Sequence, residues 1–155
     1  RIGYSKLLEI KERRKDLNIV TVDGLMPPES YYAHVNRAKV CVDFPGIGVS
    51  SRKFYEFMVL GKCVVALQQN NACWPLREDE HYISLGRDYD YKSLEARIDF
   101  VLQNNDVRLN VESAARSLRP LMTHEAVADY VERTVDAHAD AFFDGTLESK
   151  RVWYR

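Results

Sequence analysis

Several features that mark specialised classes of protein are scarce or missing in this sequence. It has three cysteines, an odd number, with no C-x-x-C pair, which excludes a disulfide scaffold. The formal net charge of −1 lacks the basic excess of a nucleic-acid-binding domain, and no apolar run is long enough to span a bilayer. Because a signal peptide and an Asn-x-Ser/Thr site are also absent, we expect a cytoplasmic protein without nucleic-acid partners.

Signatures of metal and of common nucleotide sites are missing as well. The four histidines are scattered, and no H-E-x-x-H motif occurs, so no metal ligands are expected. A dinucleotide fingerprint needs a third glycine where Ser51 stands, and Gly61-Lys62-Cys63 is not a Walker A sequence. We therefore expect no cofactor, and the sequence identifies no catalytic residue.

What is present indicates one globular domain. The chain has 155 residues, of which 46% are apolar and 29% charged, enough to bury a core. We predict that residues 1–145 form this domain and that residues 146–155 are a C-terminal tail. The chain starts at Arg1 on a predicted helix, whereas a doubly wound sheet starts on a central strand. We therefore expect a further strand, and a whole preceding domain, upstream.

Short apolar runs alternate with amphipathic segments along the chain. Continuous apolar strands between helices indicate a parallel sheet that is covered on both faces. The expected fold class is therefore α/β, a three-layer Rossmann-like parallel sheet flanked by helices, with further helices toward the C-terminus. Cys41 and Cys63 lie inside two of the apolar runs and are expected to be buried free thiols. The predicted strands are 18–23, 40–44, 63–67 and 82–85, and the predicted helices are 4–15, 29–38, 51–60, 92–103, 107–118 and 124–142.

The loop after the second predicted strand is the main candidate for ligand binding. Ligands of open α/β sheets bind beyond the carboxyl ends of the strands. Two glycines there would let the backbone approach a ligand, and the following helix start would attract phosphate. Alternatively, one serine simply caps the helix and the glycines serve the turn. The candidate residues are Gly46, Gly48, Ser50, Ser51, Arg52 and Lys53.

Glu56 lies one turn into the same predicted helix, among large apolar residues. It has two interpretations. It can form an i, i+4 ion pair with Arg52. It can instead accept hydrogen bonds from the sugar hydroxyls of a ligand whose phosphates lie at the helix start, because the spacing allows both groups on one helix.

Two segments together resemble a known enzyme superfamily. Residues 27–42 resemble the helix and strand that precede the donor site of GT-B glycosyltransferases. Residues 51–66 resemble their signature helix, Gly-Lys turn and following strand. The same order of elements continues to about Phe142, and the likeness is to the group-1 and spore-maturation-like types. The resemblance implies the C-terminal, donor-binding half of a two-domain, metal-independent glycosyltransferase.

The resemblance also implies roles for individual residues. It assigns Glu56 to the ribose hydroxyls, and it assigns the diphosphate to the backbone of residues 48–51 together with Arg52 or Lys53. Residues expected near the nucleotide base are Gly24, Leu25, Met26 and Tyr31.

The chain departs from the family pattern at two places. Gly48 stands where many group-1 enzymes carry a glutamate that contacts the donor sugar. The usual Gly-Gly segment after the third strand is replaced by Gln68-Gln69-Asn70-Asn71. We expect the amides of Asn70 and Asn71 to bind hydroxyls of the donor sugar instead.

The implied substrate is a nucleotide-diphosphate sugar, with UDP or GDP as the carrier, used in glycan biosynthesis. The acceptor, a glycan, lipid or protein, would bind the missing N-terminal domain. Any peripheral association with a membrane would also occur through that domain. The fragment alone is expected to be inactive. The alternative is a non-catalytic α/β binding or regulatory module derived from such a domain. Nucleotide binding that depends on Glu56 distinguishes the two.

Overall fold

The structure is a computed structural model that describes residues 2–22, 24–45, 51–69 and 76–143. Within these ranges two helices precede the first strand, one helix separates the first and second strands, and the elements after residue 84 are helical. The elements are α1 (Ile2–Arg13), α2 (Pro28–Arg37), β1 (Val40–Val42), α3 (Arg52–Val59), β2 (Cys63–Ala66), β3 (Ile83–Ser84), α4 (Leu94–Gln103), α5 (Asn105–Ser117), a 3-10 helix (Arg119–Met122) and α6 (His124–Phe143).

The strands of the described residues form one small open sheet. Their order is β1-β2-β3 and both pairings are parallel, with Cys41 opposite Val64 and Val65 opposite Ile83. Helix α3 connects β1 to β2, and α4 and α5 pack against the strands. The α/β class and the parallel sheet are therefore confirmed, and the three-layer Rossmann-like arrangement stays a prediction.

The predicted strand at residues 18–23 is wrong over the residues that the structure describes. Residues 18–22 form no strand, and the Ile19 N–H bonds locally to the Leu17 carbonyl at 3.1 Å. Val20 and Val22 are 53% and 37% exposed. β-Branched residues favour an extended backbone, but a strand needs a neighbour to complete its ladder. In the described part of the chain β1 pairs only with β2, so this run has no ladder partner.

The other three strands are shorter than predicted, and the 63–67 run is shorter by one residue, since it yields Cys63–Ala66. The 40–44 run yields Val40–Val42, although the Asp43 N–H still bonds to the Val65 carbonyl at 3.0 Å. The 82–85 run yields Ile83–Ser84. In the latter two runs, apolar residues therefore lie beyond the residues that pair as strands, and they still pack in or against the core.

The core lies around the central strand. All four residues of β2 are buried, and alternate side chains point to opposite faces, so both faces are covered. Cys63 and Val65 pack in one cluster with residues of α1, α4 and α5. Cys41 and Cys63 are buried free thiols, as predicted, and burial raises their pKa to about 11 and about 12. Cys73 lies outside the described residues.

Helix α3 has well-defined signals at both ends. The Ser51 side chain accepts a hydrogen bond from the Phe54 N–H at 3.1 Å, so Ser51 is the N-cap. At the other end Gly61 adopts a φ of +70°, and the Gly61 and Lys62 N–H groups bond to the carbonyls of Met58 and Phe57. This glycine-terminated arrangement ends the helix and turns the chain into β2.

The chain forms two compact units, Arg1–Arg119 and Pro120–Arg155. The first contains the sheet. The second contains α6, at whose start the Thr123 hydroxyl accepts a hydrogen bond from the Ala126 N–H at 3.1 Å. The predicted boundary between residues 145 and 146 lies outside the described residues. None of the helices described is both long and apolar enough to cross a membrane.

Candidate functional site

A cavity of about 540 Å³ opens at the carboxyl end of β1. It lies where open α/β sheets bind ligands, because the parallel strands end at the same edge. Polar and apolar groups both face it. The lining residues are Tyr4, Ser5, Val42, Asp43, Phe44, Pro45 and Lys53.

The start of α3 is tied to the end of β1 beside this cavity. The Ser51 hydroxyl accepts from the Phe54 N–H and donates to Oδ1 of Asp43 at 2.5 Å. Ser51 is thus a helix cap, as one of the two sequence interpretations has it, and it also holds a carboxylate. The first N–H groups of a helix have no intrahelical acceptor. Lys53, in this first turn, faces the cavity and adds a positive charge there.

Glu56 lies one turn further along α3 and has partners on both oxygens. Nε of Arg52 lies 2.7 Å from Oε1, and the Tyr31 hydroxyl donates to Oε2 at 3.5 Å. The predicted i, i+4 ion pair with Arg52 is therefore present. The Arg52 side chain is 89% exposed and the Glu56 side chain 22%, so the pair stabilises the helix by only about 0.3–0.5 kcal/mol. A ligand can compete for this carboxylate at small cost.

Tyr31 joins the predicted base region to the predicted ribose contact. It lies on α2, 25 residues before Glu56, and its ring packs edge-on against Tyr32 with centroids 5.2 Å apart. Burial, and then the charge of Glu56, raise the pKa of Tyr31 to about 12. Its hydroxyl therefore stays protonated at neutral pH and acts as a donor.

The structure assembles part of the predicted site. Ser51, Arg52, Lys53, Glu56 and Tyr31 lie on or against α3. No hydrogen bond, ion pair or ring contact among the described residues joins Gly24, Leu25 or Met26 to this group. Gly24 has a φ of +88°, and the Leu25 side chain is fully exposed. Five predicted residues lie outside the described ranges: Gly46, Gly48, Ser50, Asn70 and Asn71.

The segment after β2 holds its glutamines in internal contacts. The Gln68 amide donates to Glu78 at 2.6 Å and accepts from Arg87 at 3.1 Å. The Gln69 backbone N–H donates to the Tyr82 hydroxyl at 2.9 Å, and its side chain bonds to the Leu67 carbonyl. These contacts fix the exit of β2 at the sheet edge.

Asp43 is the site residue that the sequence interpretation did not include. It is 2% exposed, and its Oδ2 has no hydrogen-bond partner among the described residues. An unsatisfied buried polar group of this kind costs about 1–3 kcal/mol. Burial raises the pKa of Asp43, while the Ser51 hydrogen bond and the Lys53 charge act in the opposite direction. The available signal was an acidic residue directly after a buried apolar strand.

Metal ligands were not predicted, and the described residues contain no group of three or more histidine, cysteine or acidic side chains that could hold an ion.

Comparison of the chain with protein-family models, curated proteins and solved structures finds no match in any of the three.

Proposed function

We propose that this chain is the donor-binding half of a GT-B glycosyltransferase and binds a nucleotide-diphosphate sugar for transfer to an acceptor. The observation that carries the proposal is the arrangement on α3. Its capped start and Lys53 adjoin the cavity at the strand end, and Glu56 follows one turn later. In an ideal helix, when viewed along the helix axis, Glu56 lies on the same side as Arg52 and Lys53 and between them. A diphosphate at the helix start and a ribose at Glu56 then fit one extended ligand.

The electrostatics of this arrangement suit a departing diphosphate. The N-terminal end of a helix carries a partial positive charge, and Lys53 adds a full one. Together they stabilise negative charge that develops on the leaving group, without a requirement for a metal ion. We place the acceptor and its activating base on the expected preceding domain, and the nucleotide sugar in the three-layer, Rossmann-like half.

Nucleotide titration tests the proposal. UDP, GDP, CDP and ADP are titrated by calorimetry into the wild type, Glu56→Ala and Glu9→Ala. Glu9 forms an exposed helical ion pair with Lys6 at 2.8 Å and is the matched control. We expect saturable binding of one nucleotide, about tenfold or more weaker for Glu56→Ala, because a charge-assisted hydrogen bond contributes about 1.5–3 kcal/mol. Glu9→Ala is expected to bind as the wild type does.

The non-catalytic module is a second candidate, because both oxygens of Glu56 already have partners within the protein. In that case Glu56 only fastens α2 to α3. Glu56→Ala would then lower the unfolding temperature without changing any affinity. Absence of binding by all four nucleotides at millimolar concentration, in folded protein, would reject the donor-binding proposal.

Lys53 provides a separate test of where the diphosphate lies. Lys53→Ala is expected to lower the affinity for the nucleoside diphosphate by about tenfold and to leave the affinity for the nucleoside unchanged. Only the nucleoside diphosphate carries the negative charge that Lys53 attracts. The measurement is a pair of titrations at two salt concentrations. Equal losses for nucleoside and nucleotide would contradict the placement.

A further inference from the structure

The buried carboxylate of Asp43 is incompletely satisfied at the edge of the cavity. One oxygen accepts the Ser51 hydroxyl at 2.5 Å, and the other is buried without a hydrogen-bond partner in the part of the chain that the structure describes. The side chain is 2% exposed and lines the cavity with Tyr4, Ser5 and Lys53. Buried polar atoms in folded proteins almost always have partners, so this oxygen requires an explanation.

The position of this carboxylate is fixed by the fold. Asp43 follows β1 directly, and its N–H bonds to Val65 of the neighbouring strand at 3.0 Å. Ser51 holds its Oδ1 while capping α3. The acceptor is therefore anchored to both the sheet and the helix, and a ligand that uses it pays little ordering entropy.

The surroundings indicate which chemical group would occupy this acceptor. A second cation is disfavoured by Lys53, whose charge already acts on Asp43. A phosphate would be repelled by the carboxylate and is better placed at the helix start. A hydroxyl can donate to Oδ2 without either conflict. The Tyr4 and Ser5 hydroxyls, on the same cavity, can bond to further hydroxyls of the same group.

We propose that Oδ2 of Asp43 accepts a hydrogen bond from a hydroxyl of the glycosyl group, while α3 and Lys53 hold the diphosphate. This inference rests on the proposed function and adds to it the residue that contacts the glycosyl group. Asp43 is then the residue through which the site distinguishes a nucleotide sugar from the bare nucleotide.

Paired titrations test this role. The probes are UDP with UDP-glucose and UDP-galactose, GDP with GDP-mannose, and ADP with ADP-glucose. The proteins are the wild type, Asp43→Asn and Asp88→Asn. Asp88 is a matched control, because it is a partly buried carboxylate that accepts the Ser93 N–H at 2.8 Å and does not line the cavity. We expect the wild type and Asp88→Asn to bind one nucleotide sugar more tightly than its nucleotide.

Asp43→Asn is expected to lose about tenfold in affinity for that nucleotide sugar and none for the nucleotide, because an amide donor replaces the charged acceptor. A second measurement uses the wild type alone, so that it stands if the variant does not fold. The carboxyl carbon resonance of Asp43 is expected to shift on addition of the nucleotide sugar and not of the nucleotide.

The possible failures are distinguishable. If no nucleotide or nucleotide sugar binds the wild type, the proposed function falls and this inference falls with it. If a nucleotide binds but the wild type shows no preference for any nucleotide sugar, only the role of Asp43 is overturned. Equal affinities of Asp43→Asn and wild type for the preferred sugar, or an unmoved Asp43 resonance, overturn that role too.

Discussion

At the scale of single residues, the environment of Asp43 makes stability depend on pH. Burial raises its pKa in the folded protein above the unfolded value. The folded state therefore holds the proton more tightly than the unfolded state. The stabilising contribution is complete below the unfolded pKa, and it is lost as the pH rises through the folded pKa.

This sign gives a testable difference between the wild type and Asp43→Asn, which has no titrating group at this position. The free energy of unfolding of the wild type, relative to the variant, should fall as the pH rises from about 4, by about 1.4 kcal/mol for each unit of pKa shift. Urea unfolding of both proteins at several pH values measures it. Parallel curves would contradict the raised pKa.

Gly3 lies where its neighbours leave no room for a side chain. A Cβ at this position would lie 2.4 Å from the Phe44 ring and 2.7 Å from that of Tyr91. These rings pack edge-on with centroids 5.3 Å apart, so neither can move without disturbing the other. Gly3 therefore allows α1 to approach the end of β1, where Tyr4 and Ser5 reach the cavity.

Gly3→Ala should accordingly destabilise the protein by about 1–2 kcal/mol, because overpacking outweighs the better helix propensity of alanine. Chemical denaturation measures the change. Glu12→Ala, at an exposed position of the same helix, is the control and should stay within about 0.5 kcal/mol of the wild type. A Gly3→Ala protein as stable as this control would show that the rings relax freely.

At the scale of elements, Ser51 links a helix to a strand. Removal of its hydroxyl deletes the cap of α3 and leaves Asp43 without its hydrogen-bond donor. Ser51→Ala is therefore expected to cost more than an ordinary cap, about 2–3 kcal/mol in the free energy of unfolding.

Thr123→Ala removes a helix cap whose side chain bonds to a solvent-exposed carboxylate, that of Glu125, and not to a buried one, so it should cost about 1 kcal/mol. Ser51→Thr retains the hydroxyl and should recover most of the loss. Urea denaturation of the three variants provides the comparison. If Ser51→Ala costs no more than Thr123→Ala, the contact with Asp43 adds nothing to stability.

The segment 18–22 illustrates what local sequence cannot predict. Its β-branched residues predict a buried strand, whereas in the structure Ile19 packs against the core and Val20 is 53% exposed. They could not indicate whether a neighbouring strand is present to form a ladder. Strand formation depends on residues far away in the sequence, whereas extension depends on local sterics.

Because Ile19 packs against the core and Val20 is exposed, substitutions at these two positions should have unequal effects on stability. Ile19→Ala should destabilise the protein by about 1–2 kcal/mol, less than the 2–5 kcal/mol of a fully buried isoleucine. Val20→Ala, one residue away and pointing to solvent, should change stability by less than about 0.5 kcal/mol. Thermal unfolding of the two variants tests this. Similar effects at both positions would mean that the segment does not pack through one side.

At the scale of the whole molecule, the helices and the parallel sheet could be predicted from periodic patterns in the sequence. The candidate site could be predicted only in part. Glu56 and Arg52 could be paired from their spacing on one helix. Tyr31 could not be placed beside Glu56, nor Asp43 beside Ser51, because each contact depends on how separate elements pack. Buried but unsatisfied groups such as Asp43 are visible only once that packing is known.

The position of a strand within the sheet should also set the order in which the molecule opens. Cys63 is fully buried in the central strand β2, and Cys41 is 6% exposed in β1, which pairs on one side only among the described residues. Thiol labelling followed by peptide mass spectrometry separates the two.

Cys63 should react at the rate set by global unfolding, with the denaturant dependence of the equilibrium transition. Cys41 should react several-fold faster and with a smaller dependence, because β1 can open while β2 stays paired with β3. Both react as thiolates once exposed, so the difference reports opening rather than thiol chemistry. Identical rates and slopes at the two cysteines would mean that the sheet opens as one cooperative unit.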